Sequence, residues 1–194
     1  MAKKLINKKS RVSVTKKRWY ALKAPKVFDN QLFGETTAAD PKLLVGRGVK
    51  VSLNTFMKMK RSGNMELKFK VIEVKGNDCL TEFEGMFMPV PLVKRIVKRA
   101  KRRIDDSFVV VTKDDVKVRL KPLLLIKKTV QRGVLTDLKR KTQDYCLNYA
   151  KELTYNELIN KVIIGEIMKN LKFELKNVYP VMSVEMRAFV KVKK

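Results

Sequence analysis

The sequence predicts an α+β fold: an N-terminal antiparallel, barrel-like β half with one basic helix, followed by C-terminal helices that return to a final strand. Three observations support this prediction. Apolar and polar residues alternate in short runs before residue 126, as they do in half-buried strands. Beyond residue 126 the apolar residues recur every three or four positions, which is typical of helices. The alternation returns after residue 181.

These patterns divide the chain into three segments. Residues 1–18 are rich in Lys and contain no acidic residue, which predicts a disordered basic arm that orders only on a partner. Residues 19–126 are the predicted β-rich, barrel-like half, with a helix at about 90–104. Residues 127–194 are the predicted helical half, closed by a C-terminal strand. A chain of 194 residues that is 45% hydrophobic can build a core in one domain or in two small ones.

The β-rich half begins with a strand predicted from Arg18 to Pro25, where the proline ends it. Residues 29–48 are rich in Gly, Asp-Asn and Asp-Pro sequences, so we expect mostly loop with brief extended pieces. Alternating apolar residues over 49–53 predict the next strand.

Two hairpins have clearer signals. Residues 67–83 alternate on both sides of a Gly76-Asn77-Asp78 turn. Residues 108–120 alternate on both sides of a turn at 113–115. The polar positions of the last strand are all cationic, so its outer face is entirely basic: Lys117, Arg119 and Lys121.

Between the hairpins, Pro89 and Pro91 precede a helix predicted to continue to Ile104. Its apolar residues form one stripe with a spacing of three and four: Leu92, Val93, Ile96, Val97, Ala100 and Ile104. Every residue from 94 to 103 outside this stripe is Lys or Arg.

The C-terminal half is predicted from helical spacing between Leu135 and Leu153 and from a capping-box sequence at Thr154–Glu157. A second helix follows, and Gly165 is predicted to break or kink it before a third helical segment. Alternation over 182–192 predicts the closing strand.

The composition restricts the possible functions. The chain has 45 Lys plus Arg, 19 Asp plus Glu and no His, a formal net charge of +26. Such an excess repels itself unless a polyanion neutralises it. Without His there is no Ser-His-Asp triad, no His-ligated zinc and no imidazole base. Cys79 and Cys146 lie far apart, which argues against a zinc ribbon or a disulfide scaffold. No apolar run approaches the roughly 18 residues of a membrane-spanning helix, and we expect a cytosolic protein.

The charge is concentrated in two regions. Residues 1–33 carry +9 and residues 94–141 carry +12, whereas the rest of the chain is close to balanced. This asymmetry indicates discrete surfaces for a nucleic-acid partner. The predicted RNA-binding residues are Lys8, Lys9, Arg11, Lys16, Lys17, Arg18, Trp19, Lys23, Arg47, Lys94, Arg95, Lys98, Arg99, Arg102, Arg103, Lys127, Lys128, Arg132, Lys139, Arg140 and Lys141.

Each candidate has an alternative. The basic helix lacks the acidic residues that a solvated face usually includes, and its like charges at i,i+4 disfavour the free helix. These features favour binding to a phosphate backbone. The alternative interpretations are a solubilising face and a helix that lies on a membrane surface. The arm could be only a disordered tail, and residues 127–141 only a mobile loop. Trp19 could stack on unpaired bases beside Arg18, or it could anchor the core.

Signals for catalysis are weak. Asp105-Asp106 and Asp114-Asp115 stand at turn positions, where Asp is common for local hydrogen-bonding reasons. A two-metal nuclease would need carboxylates that converge from separate elements, a question that the local sequence leaves open. We therefore predict no enzyme, no cofactor and no metal.

The order of several short motifs resembles a known family. Residues 17–28 read Lys-Arg-Trp-Tyr-Ala-Leu-Lys-Ala-Pro-Lys-Val-Phe, and Ala39-Asp40-Pro41 and Gly46-Arg47 follow before the Val51-Ser52-Leu53 strand. Cys79 to Gly85, the basic helix, Glu152-Leu153-Thr154, Ile164-Gly165 and Tyr179-Pro180 continue the series. Over roughly residues 16–192 this order is similar to that of the S3Ae proteins of the archaeal and eukaryotic small ribosomal subunit.

The resemblance implies a structural, ribosome-bound, cytoplasmic protein on the platform of the small subunit, near the 3′ end of the rRNA and the mRNA exit region. Its implied partners are the small-subunit rRNA and neighbouring platform proteins, of the S-eleven type and, in eukaryotes, the S-twenty-six type. The mRNA near its exit is a further candidate partner; we expect neither a membrane nor a homo-oligomer. A free-standing RNA-binding or RNA-remodelling protein is the alternative function, and a peripheral membrane protein is a third class.

Overall fold

A computed structural model describes residues 16–56 and 65–192. In these residues the chain forms nine strands, four α-helices and three short 3-10 turns. The strands are β1 (Arg18–Lys23), β2 (Leu32–Ala38), β3 (Gly48–Ser52), β4 (Glu66–Lys75), β5 (Asp78–Phe87), β6 (Arg102–Asp105), β7 (Phe108–Val111), β8 (Lys117–Ile126) and β9 (Ser183–Lys191). The helices are α1 (Val90–Val97), α2 (Arg132–Glu152), α3 (Tyr155–Ile164) and α4 (Glu166–Leu175). The α+β class is confirmed.

All nine strands belong to one branched sheet. A central path runs β3-β4-β5-β9-β8, and β6 and β7 pair with successive parts of the outer edge of β8. β1 pairs with the start of β5 and carries β2 on its other edge. No pairing between the described strands closes this sheet, so "barrel-like" holds only loosely. The β1–β5 pair is parallel, which corrects the expectation of a purely antiparallel half.

The final strand lies in the middle of this sheet. β9 pairs with Gly85–Phe87 of β5 on one side and with most of β8 on the other. Its inward residues Val184, Met186 and Ala188 are buried, as their alternation predicts. One apolar core joins the strands to the helices, because Phe69, Leu124 and Leu171 belong to the same cluster.

The helical half follows the sequence prediction closely. α2 buries Leu138, Thr142, Cys146 and Ala150, a spacing of four that places one face against the core. The capping box at the start of α3 is formed: Glu157 N donates to the Thr154 hydroxyl, and the Glu157 carboxylate accepts from Thr154 N. Gly165 ends α3 with a φ of +80°, a left-handed conformation that favours glycine.

The predicted helix over 90–104 is too long. α1 ends at Val97, and residues 102–105 form β6, which pairs with Leu123–Ile126 of β8. Ile104 is buried in that strand. The pairing provides partners for the backbone groups along the buried end of β8, and this tertiary requirement outweighs the helical spacing.

The prediction of a mostly looped segment over 29–48 is also wrong in part. Seven of these residues form β2, which pairs antiparallel with β1. β2 is an edge strand, and most of its side chains are at least partly exposed. A strand without a buried face shows no apolar alternation, which is why the sequence pattern missed it.

The segment predicted as a basic arm lies almost wholly outside the described residues, apart from its last three positions. Lys16 and Lys17 are exposed and precede β1, which begins at Arg18. Over the described part of the chain, none of the helices has the length and apolar character needed to span a bilayer.

Candidate nucleic-acid interface

The end of β8 gathers basic residues from two distant parts of the chain. Ile126, the last residue of β8, pairs with Arg102 of β6, and the backbone N–H of Lys101 donates to the Ile126 carbonyl at 3.0 Å. Antiparallel pairing places paired Cα atoms about 4.5–5.5 Å apart. We call the exposed cations that lie within four residues of this pairing along the chain, and that form no ion pair among the described residues, the β8-end cluster: Lys98, Arg99, Lys101, Arg102, Lys127 and Lys128.

The β8-end cluster contains no acidic residue. Asp105 is the nearest carboxylate along β6, and it already lies 3.4 Å from Arg103 Nε and 3.5 Å from Arg187 Nη1. Six positive charges on two paired segments repel one another in the free protein. A polyanion that passes across the end of β8 would remove this repulsion, so the surface is suited to a phosphate backbone.

Helix α1 extends this basic surface. Lys94 and Arg95 are exposed, and the apolar stripe from Leu92 to Val97 is half-buried against the body. Lys98 and Arg99 follow at the end of the helix. Within the described residues none of these four cations forms an ion pair. The basic face therefore keeps its charge available to a partner.

The segment after β8 is shorter than the sequence suggested. Five residues, 127–131, connect β8 to α2, which begins at Arg132 without an acidic residue in its first turn and without a side-chain cap. Free N–H groups at a helix start favour anions. Lys139, Arg140 and Lys141 lie about two turns further along α2 rather than in the connection.

Four predicted RNA-binding cations are used by the protein itself. Lys23 Nζ lies 2.5 Å from Asp78 Oδ2, and Lys139 Nζ lies 3.3 Å from Asp106 Oδ1. Arg103 pairs with Asp105, as described above. Arg47 Nη1 donates to the Thr36 hydroxyl at 2.6 Å and to the Thr37 carbonyl at 3.1 Å, so it ties the residues before β3 to β2. These side chains have structural roles that the sequence did not reveal.

Trp19 is exposed, with 66% of its surface accessible. Its backbone pairs with Thr37 across β1 and β2, whereas the next residue, Tyr20, is buried. The interpretation of Trp19 as a core anchor is therefore wrong. The exposed indole offers a ring on which a base could stack.

A protein-family model and several named relatives match this chain. The family model described as the ribosomal S3Ae family matches residues 6–194. The chain belongs to the ribosomal S3Ae family. The resemblance deduced from the order of its motifs is confirmed.

Archaeal relatives match this S3Ae chain over nearly its whole length. The small ribosomal subunit protein eS1 of Nanoarchaeum equitans is 30% identical over 174 residues, which cover 90% of this chain and 88% of that protein. The eS1 protein of Methanobrevibacter smithii is 31% identical and is covered to 96%, with 95% of this chain matched. The eS1 protein of Methanothrix thermoacetophila is 31% identical, with 96% of this chain and 88% of that protein covered.

Sequence reasoning missed several exposed cations of this S3Ae chain. Lys101 joins the β8-end cluster only because residues 102–105 form a strand rather than a helix. Lys117 and Arg119 project from the outer face of β8, next to the exposed Val109 and Val111 of β7. The alternation in the sequence identified this face as basic, but its cations were not included among the predicted RNA-binding residues.

The paired acidic residues have structural partners. Asp105 and Asp106 bind the cations described above, and Asp114 Oδ2 accepts a hydrogen bond from the Tyr155 backbone N–H at 3.0 Å. In the part of the chain that the structure covers, no group of three or more His, Cys, Asp or Glu residues could hold a metal ion. Asp105, Asp106 and Asp114 thus have partners within the protein.

Proposed function

We propose that this chain is a non-catalytic, structural constituent of the small ribosomal subunit that binds rRNA phosphates through its basic surfaces. The observation that carries the proposal is the β8-end cluster, in which six unpaired cations from two segments meet without a carboxylate among them. Membership of the S3Ae family and the name of the relatives, small ribosomal subunit protein eS1, support the same role.

The folded body holds the cations at fixed positions. Lys101 and Arg102 are held by the β6–β8 pairing, Lys127 and Lys128 follow the buried end of β8, and Arg132 starts α2. Each cation that meets a phosphate releases condensed counterions, which provides binding free energy without sequence readout. Trp19 provides a platform for an unpaired base. In this mechanism the protein stabilises the local tertiary structure of the rRNA.

The remaining predicted cations extend this surface. We place Lys8, Lys9 and Arg11, which lie outside the described residues, among rRNA phosphates together with Lys16 and Lys17. From the family resemblance we further propose the platform position, the S-eleven-type and S-twenty-six-type neighbours, a candidate contact with mRNA near its exit, and a ribosome-bound cytoplasmic location.

Sedimentation of the endogenous protein in a sucrose gradient at physiological salt tests the role. We expect migration with the small subunit. Sedimentation apart from the subunit would indicate a free-standing RNA-binding protein, and recovery with vesicles would indicate a peripheral membrane protein. Either of these two results would contradict the proposal.

A charge-reversal series tests the surface. We expect the Lys98→Glu, Arg99→Glu, Arg102→Glu triple variant to be incorporated poorly into small subunits. The matched control reverses three exposed lysines elsewhere, Lys75, Lys151 and Lys176, and changes the net charge by the same amount. Equal loss of incorporation in the two triple variants would show that only total charge matters and would remove the case for a special surface.

A further inference from the structure

A groove that borders the β8-end cluster at Arg99 opens between α1, the α3–α4 junction and β9. Its volume is about 900 Å³. Methionines from four elements or their flanks contribute to its lining: Met65, Met86, Met88, Met168 and Met186. This volume is at the upper end of the roughly 300–1,000 Å³ that is typical of ligand pockets.

Apolar side chains at the mouth of the groove lack full cover. Ile164, the last residue of α3, is 49% exposed. Leu92 and Ile96 of α1 line the opposite wall and are only half-buried, and α1 has no fully buried residue at all. An amphipathic helix normally buries its apolar stripe. Part of the stripe of α1 therefore faces an open groove.

The rim of the groove is basic. Arg95 and Arg99 stand on the α1 side, and Lys169 and Lys172 stand on the α4 side. Among the described residues that line the groove, Glu185 is the one carboxylate, and burial raises its pKa while the nearby Lys172 opposes that rise. Lys172 also donates to the Met182 carbonyl at 2.8 Å. The groove thus combines an apolar floor with a cationic edge.

The chemistry of the floor favours protein side chains over a nucleobase. Bases bind single-stranded RNA sites mainly by stacking on aromatic rings, and no aromatic residue is among the described residues that line this groove. Methionine is flexible and polarisable, and Met-rich grooves adapt to the apolar face of a bound helix. A cationic rim selects acidic residues beside that face.

We propose that this groove is a docking site for an acidic amphipathic helix of a protein partner. The leucine-type face of such a helix would contact Leu92, Ile96 and Ile164 above the buried methionines. Its flanking carboxylates would meet Arg95 and Lys169, which the β8-end cluster does not include. The inference goes beyond rRNA binding and requires no RNA contact in the groove.

Methyl NMR of the full chain with ¹³C-methyl-labelled methionine tests the docking. The probe is a synthetic 18-residue helix with Leu at i, i+3, i+4 and i+7 and Glu at most other positions. A scrambled peptide of the same composition controls for the general attraction between an acidic peptide and a basic protein. We expect the amphipathic peptide to shift the five groove methionines and to leave Met182, which does not line the groove, unchanged. We expect no such pattern from the scrambled peptide or from oligouridylate.

A variant pair tests the floor without changing the charge. Ile96→Gln with Ile164→Gln places one polar residue on each wall, and we expect peptide affinity to fall at least about tenfold. The control Phe173→Gln changes a residue of α4 that is 73% exposed and lies outside the groove, and it should leave the affinity unchanged. Binding to rRNA, measured on the same samples, should be equal in all three proteins.

Several outcomes would overturn the docking proposal. The first is that the scrambled peptide binds as tightly as the amphipathic peptide. The second is that oligouridylate or anionic vesicles shift the groove methionines and the peptide does not. The third is that a folded Ile96→Gln, Ile164→Gln variant binds the peptide with unchanged affinity. The methyl shifts of the unsubstituted chain decide the matter even if the double variant fails to fold. If the unsubstituted chain binds the peptide but does not bind rRNA, the proposed function is contradicted and the groove proposal is not affected.

Discussion

Replacing Gly85 by Ala should disrupt the junction of three strands. Gly85 pairs with Lys68 of β4 on one side and with Val190 of β9 on the other. A Cβ atom at residue 85 would lie 2.6 Å from the carbonyl oxygen of Phe189 and 3.2 Å from the Cα of Val190. Both atoms belong to the backbone of β9, so no side-chain rotation can relieve the clash.

The expected loss follows from the short contact between β5 and β9. Only three residues of β5, Gly85–Phe87, pair with β9, and a shift of the β9 backbone would disturb all three pairs. Overpacking a well-packed interior costs about 1–3 kcal/mol. For a domain of this size each kcal/mol lowers the melting temperature by about 2–4 °C. We therefore expect Gly85→Ala to melt roughly 2–12 °C below the unsubstituted protein.

Urea unfolding followed by circular dichroism at constant ionic strength measures the free energy of unfolding. A thermal melt measures the melting temperature. The matched control is Gly34→Ala in β2, because no atom lies within 4 Å of the Cβ position there. We expect this control to stay within about 0.5 kcal/mol of the unsubstituted protein. A Gly85→Ala protein as stable as that control would refute the close approach of β5 and β9.

Three further predictions concern the helices and the buried groups. Thr154→Ala should remove the cap of α3 and lower the free energy of unfolding by about 1 kcal/mol in urea, and an unchanged midpoint would contradict the capping box. Burial raises the pKa of Cys146 to about 12, so the reactive thiolate is scarce at pH 8. Iodoacetamide should therefore alkylate Cys146 only as fast as the chain unfolds. Rapid labelling under native conditions would contradict the burial of this thiol. Lys139→Ala should lower the free energy of unfolding, because it removes the partner of the buried Asp106, and it should leave the rRNA affinity unchanged. Arg140→Ala should weaken rRNA binding and leave the urea midpoint unchanged. The opposite pair of results would contradict the division between structural and RNA-facing cations.

The sequence predicted those elements whose own residues determine them. The capping box at Thr154, the break at Gly165 and the alternation of β9 depend on local chemistry, and all three are present. β2 and β6 depend on partners. β2 exists because β1 offers it an edge, and β6 exists because the buried end of β8 requires backbone partners. A pattern confined to one segment contains no information about such pairing.

The same distinction applies to the candidate site. The sequence identified the basic segments, because a run of Lys and Arg without acidic residues is a local feature. It did not reveal that Lys23, Arg103 and Lys139 pair with carboxylates, since Asp78 and Asp106 are far from two of them in the chain. It also did not show that Lys101 and Lys127 meet at the end of β8. Partner choice and convergence are tertiary properties.

The salt dependence of binding to purified small-subunit rRNA tests the central claim most directly. If six to ten phosphates are neutralised, the affinity should fall about 10³–10⁵-fold between about 50 and 200 mM salt. A variant with Gln at Lys98, Arg102, Lys127 and Lys128 should have a slope of log affinity against log salt that is shallower by roughly three. Affinity that barely changes over this salt range, or an identical slope in the variant, would contradict the claim that the β8-end cluster binds rRNA phosphates.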